Sequence, residues 1–440
     1  MMIWGGLLTL AVFCVLTVAV ILQVLPCIRK IRERAVRPTE SRWPCVQVIL
    51  SLKGTDPFLE RCLERLAAQD YPDYQVTVVV DSLEDPAWQQ ASAAEEVYGR
   101  EVMDLQVRSH QGRTCTRKLS NQLSAFSTLR PEVEIVVLCD GDAVVHRTWL
   151  KELVSGLDDS RLAAVSANRW FSPPGCDVAS LSRHYWNALA IPTQQQHRIL
   201  WAGSLAMRRS IVDESGFREA FEHGFADDAV IAAYLTRTGR PYEVLGTTYV
   251  VNSETTTIRG YWNFLVRQML CVRLDHPRWR PIFLHAVVLA VAFALFLPAL
   301  FVAGPMAMAL GYLGLCIYGL TLLILTSVYD RELRRTFPEI EALDVPVSRQ
   351  RVLMALPALL FTSAIYPAAT IAAASTRSHL WRGVEYQLTD GKIVATIERP
   401  SGRERRGLTG RLLRRPGFLT RANGPGVSPR AEAASTETVG

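Results

Sequence analysis

Apolar residues crowd both ends of the 440-residue chain and form short, regularly interrupted runs between them. Residues 3–26, IWGGLLTLAVFCVLTVAVILQVLP, carry no charge, and a bilayer core takes about 20 apolar residues. A cleaved signal peptide would start with basic residues and end in small ones. This segment starts MMIW and runs into CIRKIRERAVR, so it reads as an uncleaved anchor over 1–28, with Arg29 to Arg37 on the cytosolic side. Three more apolar stretches follow residue 280. Residues 282–302 and 306–328, separated by Ala303, Gly304 and Pro305, read as a hairpin of two spans. Residues 352–374 make a weaker third, interrupted by Pro357 and Pro367, either a span or a re-entrant or interfacial segment. Together they define a membrane region over 281–376. The charged stretch from Tyr329 to Arg351 is expected on the cytosolic side. Strict alternation sends the C-terminus outside and its arginines favour the inside, so the side of the tail stays open.

Between the apolar ends, residues 40–280 alternate in period. Apolar strands are predicted at 45–51, 74–82, 105–110 and 134–139, and helices at 56–69, 117–129 and 147–157, with another between the second and third strands. In the first helix Leu59, Leu63 and Leu66 share a face. This order predicts an α/β domain with a mostly parallel sheet and helices on both faces. Such sheets bind ligands beyond the carboxyl ends of their strands. Those ends are Ser51 to Gly54, Asp81, and Asp140 to Asp142.

Composition adds limits rather than a function. The net charge of +6 owes much to residues 400–440, a basic segment too poor in large apolar residues to fold alone. A tail near anionic headgroups is the expected role, with no nucleic-acid partner. The nine cysteines are scattered without any CxxC pair, which fits a reduced, cytosol-facing body and excludes a disulfide scaffold or a zinc site. His184, His197 and His223 have no metal-ligand spacing.

The chemistry concentrates in acidic pairs. In EIVVLCDGDAVV (134–145) a buried strand ends on Asp140 and Asp142, two like charges that raise each other's cost of ionisation unless a cation lies between them. All-oxygen ligands of this kind suit Mg²⁺ or Mn²⁺ shared with phosphate oxygens. Downstream, Asp227 and Asp228 open a predicted helix in HGFADDAVIAAYLTRTG (223–239). They read either as its cap or as a general base. Lys118 and Asn121, on a helix facing the crevice, are placed to reach phosphate or sugar, or to form a solvated face.

VILSLKGTDPFLERCLERLAAQDYPDYQVTVVVDSLEDPA (48–87), the DGD at 140–142, LWAGSLAMRRSIVDESGF (200–217) and ADDAVIAAYLTRTGRPYEVL (226–245) together resemble the inverting family 2 glycosyltransferases. Within them the LKGTDP…QDYPDYQV…DPA series is similar to ceramide glucosyltransferases and their bacterial relatives. The resemblance implies a GT-A nucleotide-diphospho-sugar domain over 40–280, a UDP-sugar donor, a divalent metal and a membrane-lipid acceptor. It assigns nucleotide binding to Asp81, metal and diphosphate binding to Asp140 with Asp142, and the base to Asp228; by position, Lys118 and Gly54 join the nucleotide-sugar-binding candidates and Asp227 the catalytic ones. Two departures stand out. Counted back from Asp85-Pro86, the family's first acid falls on Ser82, beside Asp81. In the (Q/R)xxRW block, seen here as RQMLCVR, Arg267 and Gln268 match, while Leu270 and Cys271 stand where Arg and Trp are expected. Closure around diphosphate and acceptor is then expected from Arg267, Gln268 and Arg273. WRGVEYQL (381–388), within a juxtamembrane segment at 377–399, resembles a short strand placed after the last span, with Trp381 an interfacial anchor.

The activity so implied is inverting transfer of a sugar, glucose by resemblance, to a lipid hydroxyl at the cytosolic face of a membrane. The alternatives are a processive polysaccharide synthase, which would need more spans and an intact block, and a catalytically silent nucleotide-sugar-binding membrane protein.

Overall fold

The computed structural model describes residues 2–33, 43–302, 304–389 and 391–398. The tail expected over 400–440 and the end of the first basic cluster, Arg34 to Arg37, lie outside the described residues. Helix α1 (Met2–Arg32) precedes a body that begins by alternating strand and helix: β1 (Val46–Leu52), α2 (Leu59–Ala67), β2 (Tyr74–Val80), α3 (Ala87–Tyr98), β3 (Met103–Val107), α4 (Arg117–Phe126), β4 (Ile135–Cys139) and α5 (Trp149–Ser155). The second half adds β5 (Ala164–Phe171), α6 (Val178–His197), β6 (Ser204–Arg208), α7 (Arg209–Val212), α8 (Ser215–Glu222), α9 (Asp227–Arg237), β7 (Tyr242–Asn252) and α10 (Ile258–Asp275). Helices α11 (Trp279–Val302), α12 (Pro305–Thr336) and α13 (Arg349–Ser375) follow, then β8 (Ser378–Trp381), β9 (Val384–Thr389) and β10 (Lys392–Glu398).

Seven strands form one sheet in the order β3-β2-β1-β4-β6-β5-β7. Strand β6 runs antiparallel to both neighbours and every other pair is parallel. Strands β1, β2 and β4 are buried along nearly their whole length, which is why they read as unbroken apolar runs rather than alternating ones. Leu59, Cys62, Leu63 and Leu66 of α2 pack on one face of the sheet with α3 and α5. Leu119 and Phe126 of α4, Phe217 and Phe221 of α8, and Ile231 and Leu235 of α9 fill the other.

The chain winds outward from β1 to β3 and then returns to the far side of β1 as β4. The order of strands therefore reverses between β1 and β4. Leu50 lies opposite Cys139, so the segments just beyond, Ser51 to Gly54 and Asp140 to Asp142, emerge side by side at this switch point.

Among the described residues three helices, α1 from Gly6 to Arg32, α12 and α13, are long and apolar enough to cross a membrane. Residues 352–374, expected as an interrupted segment, belong to one continuous helix of 27 residues that runs through Pro357 and Pro367. Its start is fixed by Ser348, whose hydroxyl accepts the Arg351 N–H at 3.1 Å. Helix α12 likewise continues into the charged stretch as far as Thr336. Helices α1 and α12 approach closely at small residues: a Cβ on Gly6 would stand 2.6 Å from the Cα of Ala307, and one on Gly314 would stand 3.1 Å from that of Leu10. Below that crossing Arg32 donates to both oxygens of Glu332 at 2.9 and 3.0 Å. Tyr329 ties α12 to the body, sharing a 2.7 Å hydrogen bond with the Tyr249 hydroxyl and stacking on Trp170 at 4.9 Å.

Candidate active site

The loop after β1 turns at Gly54, whose φ of +71° favours glycine. Its N–H donates to Asp85 Oδ1 at 2.8 Å, and the same oxygen accepts the Ala87 N–H at 2.9 Å. Asn121 of α4 donates to the carbonyls of Leu52 and Val79 at 3.1 and 3.3 Å, tying together the ends of β1 and β2. A crevice opens beyond these ends, with Ser51, Gly54, Lys118, Asp140, Asp142, Asp228 and Arg267 in its wall.

Lys118 organises the acids. Its Nζ lies 2.6 Å from Asp140 Oδ1 and 2.9 Å from Asp227 Oδ2. Gln122 donates to the same Asp227 oxygen at 2.6 Å. Asp227 is thereby buried and engaged by two donors while it also stands in the crevice wall. Its neighbour Asp228 is in the same wall. Neither acid stands at the N-cap of α9, which is Ala226; the Phe225 and Ala226 N–H groups donate to Asp275 Oδ2 at 2.9 Å, and Asp228 Oδ1 accepts the Ala229 N–H at 2.7 Å. The acids occupy the first turn instead, where the helix dipole favours negative charge.

Their environments separate them. Burial and the charge of Asp227 push Asp228 up to about 7, against the pull of Lys118. Burial would raise Asp140 as well, but Lys118, Arg169 and Arg267 hold it below the ordinary carboxylate value. Burial and Asp140 push Asp142 up to about 6, with Arg169 opposing. For Lys118 burial opposes the charged form, yet Asp140 and Asp227 raise its pKa.

Other expected residues are placed differently. Asp81 is not in the crevice wall; it is buried behind Lys53, which contacts its Oδ2, and Arg108 donates to its Oδ1 at 2.9 Å. Burial alone would raise Asp81, but Lys53 and the two nearby arginines lower it. Arg267 and Gln268 reach the crevice, whereas Arg273 turns away and donates to the carbonyls of Ala373 and Thr376 at the end of α13. Leu270, fully buried, packs with Val384, Tyr386 and Leu388. The segment 381–388 is a hairpin rather than a single strand, and Trp381 is in the crevice wall under the guanidinium of Arg267 at 5.0 Å, not an anchor apart from the site.

Among the participants that escaped the sequence reading are Lys53, Trp201 and Arg169. Arg169 sits among the rings of Phe171, Trp201 and Phe264 at 4.8, 5.2 and 5.3 Å. An arginine flanked by aromatics at the end of β5, RWF at 169–171, is a local signal for it.

Several atoms of the crevice lack partners among the described residues. Ser51 Oγ, Asn121 Oδ1 and Trp381 Nε1 are buried without a hydrogen bond, and buried polar atoms are nearly always satisfied once the native ligand is counted. No cluster of three or more His, Cys, Asp or Glu gathers among the described residues, so there is no all-protein metal cage. Two carboxylates, one held by Lys118 and one open, do fit Mg²⁺ or Mn²⁺ that takes its remaining ligands from phosphate and water.

A second cavity, of about 310 Å³, shares Arg169, Trp201, Asp228, Gln268 and Cys271 with the crevice. From there it is walled by α6 and by the apolar helices: Val20 and Val24 of α1, Ile282 and Leu289 of α11, Leu322 of α12 and Tyr366 of α13. Gln23, Asn187, Gln194 and Ser363 add polar groups to it.

The α/β body thus carries acids at its switch point, is mounted on apolar helices and opens to a cavity among them. The chain belongs to glycosyl transferase family 21, whose sequence profile matches residues 10–394. It is 31% identical over 87 residues to a ceramide glucosyltransferase of Komagataella phaffii, an alignment spanning 19% of this chain and 17% of that protein. Among solved structures it is similar to the mannosyltransferase PcManGT of Pyrobaculum calidifontis, in complex with GDP-Man and Mn²⁺ (TM-score 0.45, 19% identity, 83% of this chain and 97% of that one). Another is glucosyl-3-phosphoglycerate synthase of Mycobacterium tuberculosis, in complex with phosphoglyceric acid (TM-score 0.33, 13% identity, 54% and 81%).

Proposed function

We propose that the chain transfers a hexose, glucose by resemblance to ceramide glucosyltransferases, from a UDP-sugar to the hydroxyl of a membrane lipid, with inversion at the anomeric carbon. The observation that carries this reading is the position of Asp228, a carboxylate in the wall common to the polar crevice and the cavity among the apolar helices. A donor in the first and a lipid in the second meet at one base.

Asp228 takes the proton of the lipid hydroxyl as its oxygen bonds to the anomeric carbon, and the bond from that carbon to the diphosphate breaks. Lys118, Arg169 and Arg267 face the charge that develops on the departing UDP. Asp140 and Asp142 hold Mg²⁺ or Mn²⁺, which when bound supplies further charge stabilisation to the diphosphate. Gly54 lets the backbone approach the nucleotide, and Asp81 acts on it through Lys53. Holding the acceptor in the bilayer, on the cytosolic side, replaces a three-dimensional encounter with an oriented one.

The test is UDP release by protein purified in detergent with UDP-glucose, Mn²⁺ and mixed membrane lipids. Release that requires both lipid and Mn²⁺, and that disappears in Asp228→Asn while UDP-glucose still binds, supports the reading. Undiminished turnover in that variant, or release without any lipid acceptor, overturns it.

A further inference from the structure

The sheet that follows the last apolar helix closes over the crevice. Strands β8 and β9 pair antiparallel, with Trp381 opposite Val384. The two residues between them, Arg382 and Gly383, have φ of +45° and +77°. Two consecutive positive φ values are those of the tight hairpin turn whose twist matches the strands, and a non-glycine residue in that conformation is uncommon. The hairpin is anchored beside the acids, since Val384, Tyr386 and Leu388 bury against Phe225, Ala226, Ala229 and Leu270. The Tyr386 hydroxyl accepts the Arg117 N–H at the start of α4 at 3.1 Å.

At the tip, Arg382 donates to the Lys53 carbonyl at 2.9 Å, and its second nitrogen lies 3.5 Å from Asp56. Trp381 is covered on one side by Arg267, and its indole N–H, buried in the crevice wall, has no acceptor among the described residues. The crevice wall carries Lys53, Arg117, Lys118, Arg169, Arg267 and Arg382. An indole N–H is only a donor. Placed among cations and left unmatched, it calls for an anionic oxygen acceptor from the ligand.

We propose that this hairpin is part of the donor site: Trp381 donates its indole N–H to the diphosphate of the bound nucleotide, and Arg382 flanks the same group. The inference rests on the reading of the crevice as a nucleoside-diphosphate site. It adds that residues beyond the last apolar helix complete that site, while Leu270, which offers no polar group, serves to seat them.

The experiment is titration of the full-length protein in detergent with UDP and with UMP, each with Mn²⁺, for wild type, Trp381→Phe and Arg382→Gln. Trp381→Phe keeps the ring and deletes the donor; Arg382→Gln changes a partly exposed turn residue and leaves the core of the hairpin untouched. Each variant is expected to bind UDP roughly tenfold more weakly, as loss of a hydrogen bond to a charged group implies, with UMP affinity changed far less. The KM for UDP-glucose rises in parallel and the KM for lipid does not. A wild-type chain that binds no UDP overturns the donor-site reading and this proposal with it. Wild-type binding retained in full by both variants overturns the role of the hairpin alone.

Discussion

The ammonium of Lys118 stands 2.6 Å from Asp140 Oδ1, so the lysine next to the start of α4 holds the acid at the end of β4. The same nitrogen contacts Asp227, which makes one cation the hinge between the two halves of the body. Lys118→Met leaves both carboxylates without that partner in a largely buried place. Removing one member of a buried ion pair costs about 3 kcal/mol or more, so thermal unfolding in detergent is expected to shift down by several degrees and turnover to be lost. Lys118→Arg keeps the charge but not the compact ammonium, and is expected to retain stability better than activity. Equal unfolding temperatures in wild type and Lys118→Met would remove the hinge.

As the proposed base, Asp228 is expected to set an acid limb on the rate. Its folded pKa is pushed up to about 7 by burial and Asp227, and a base works only when deprotonated. As pH falls through that value the carboxyl takes up a proton and cannot receive one from the acceptor, so kcat/KM for the lipid is expected to fall about tenfold per unit below it. The direction follows from the raised pKa: an ordinary carboxylate would sustain activity to far lower pH. Asp227→Asn removes the charge that raises Asp228 and should move the limb to lower pH. A pH–rate profile flat between 5 and 8 in the wild type would exclude Asp228 as the base.

Gly203 is required by its surroundings. A Cβ there would meet the Trp201 ring at 2.3 Å and Asp140 Oδ2 at 2.5 Å. Both contacts are too short to keep, so Trp201 and Asp140 must give way in Gly203→Ala, and an ångström of misplacement at a reacting centre costs about 100-fold. Turnover is expected to drop by at least tenfold, with the Mn²⁺ concentration for half-maximal rate rising because Asp140 is displaced. An alanine variant with unchanged Mn²⁺ dependence would show that Asp140 does not set the metal affinity.

The strands that place the acids were legible because parallel strands buried on both faces leave continuous apolar runs, as in Ile135 to Cys139. Strands β5, β6 and β7 were not read. In AVSANRWF polar residues interrupt the run, and the pairing with β7 shifts register between Ser166 and Asn168, so no simple period survives. Asp227 and Asp228 are alike as letters and both stand in the crevice wall; the turn of about 100° between neighbours on a helix gives them different partners, Lys118 and Gln122 for Asp227 and the Ala229 N–H for Asp228. The same geometry explains Arg273. It is two residues, or about 200°, beyond the crevice-facing Cys271, and so falls on the side of α10 that meets α13. The place of Trp381 depends on a hairpin folding back over the body from beyond three apolar helices, a long-range pairing that periodicity does not encode.

Arg169 offers the sharpest test of how the proposed donor and acceptor sites communicate. It is in the wall of both cavities and lies among three aromatic rings. Its charge lowers Asp140 and restrains Asp142, which burial and Asp140 raise to about 6. In Arg169→Met that restraint is gone, so Asp142 should protonate at higher pH and activation by Mn²⁺ should need a more alkaline medium. Arg169→Lys keeps a charge but loses the guanidinium's contact with the Phe171, Trp201 and Phe264 rings, so it should preserve the pH at which Mn²⁺ activates while lowering kcat/KM for both substrates by about tenfold, in line with the worth of a desolvated cation–π contact. Measuring Mn²⁺ activation against pH in the two variants separates the contributions. If Arg169→Met activates at the wild-type pH, the arginine does not govern the acids, and its cage of rings serves packing alone.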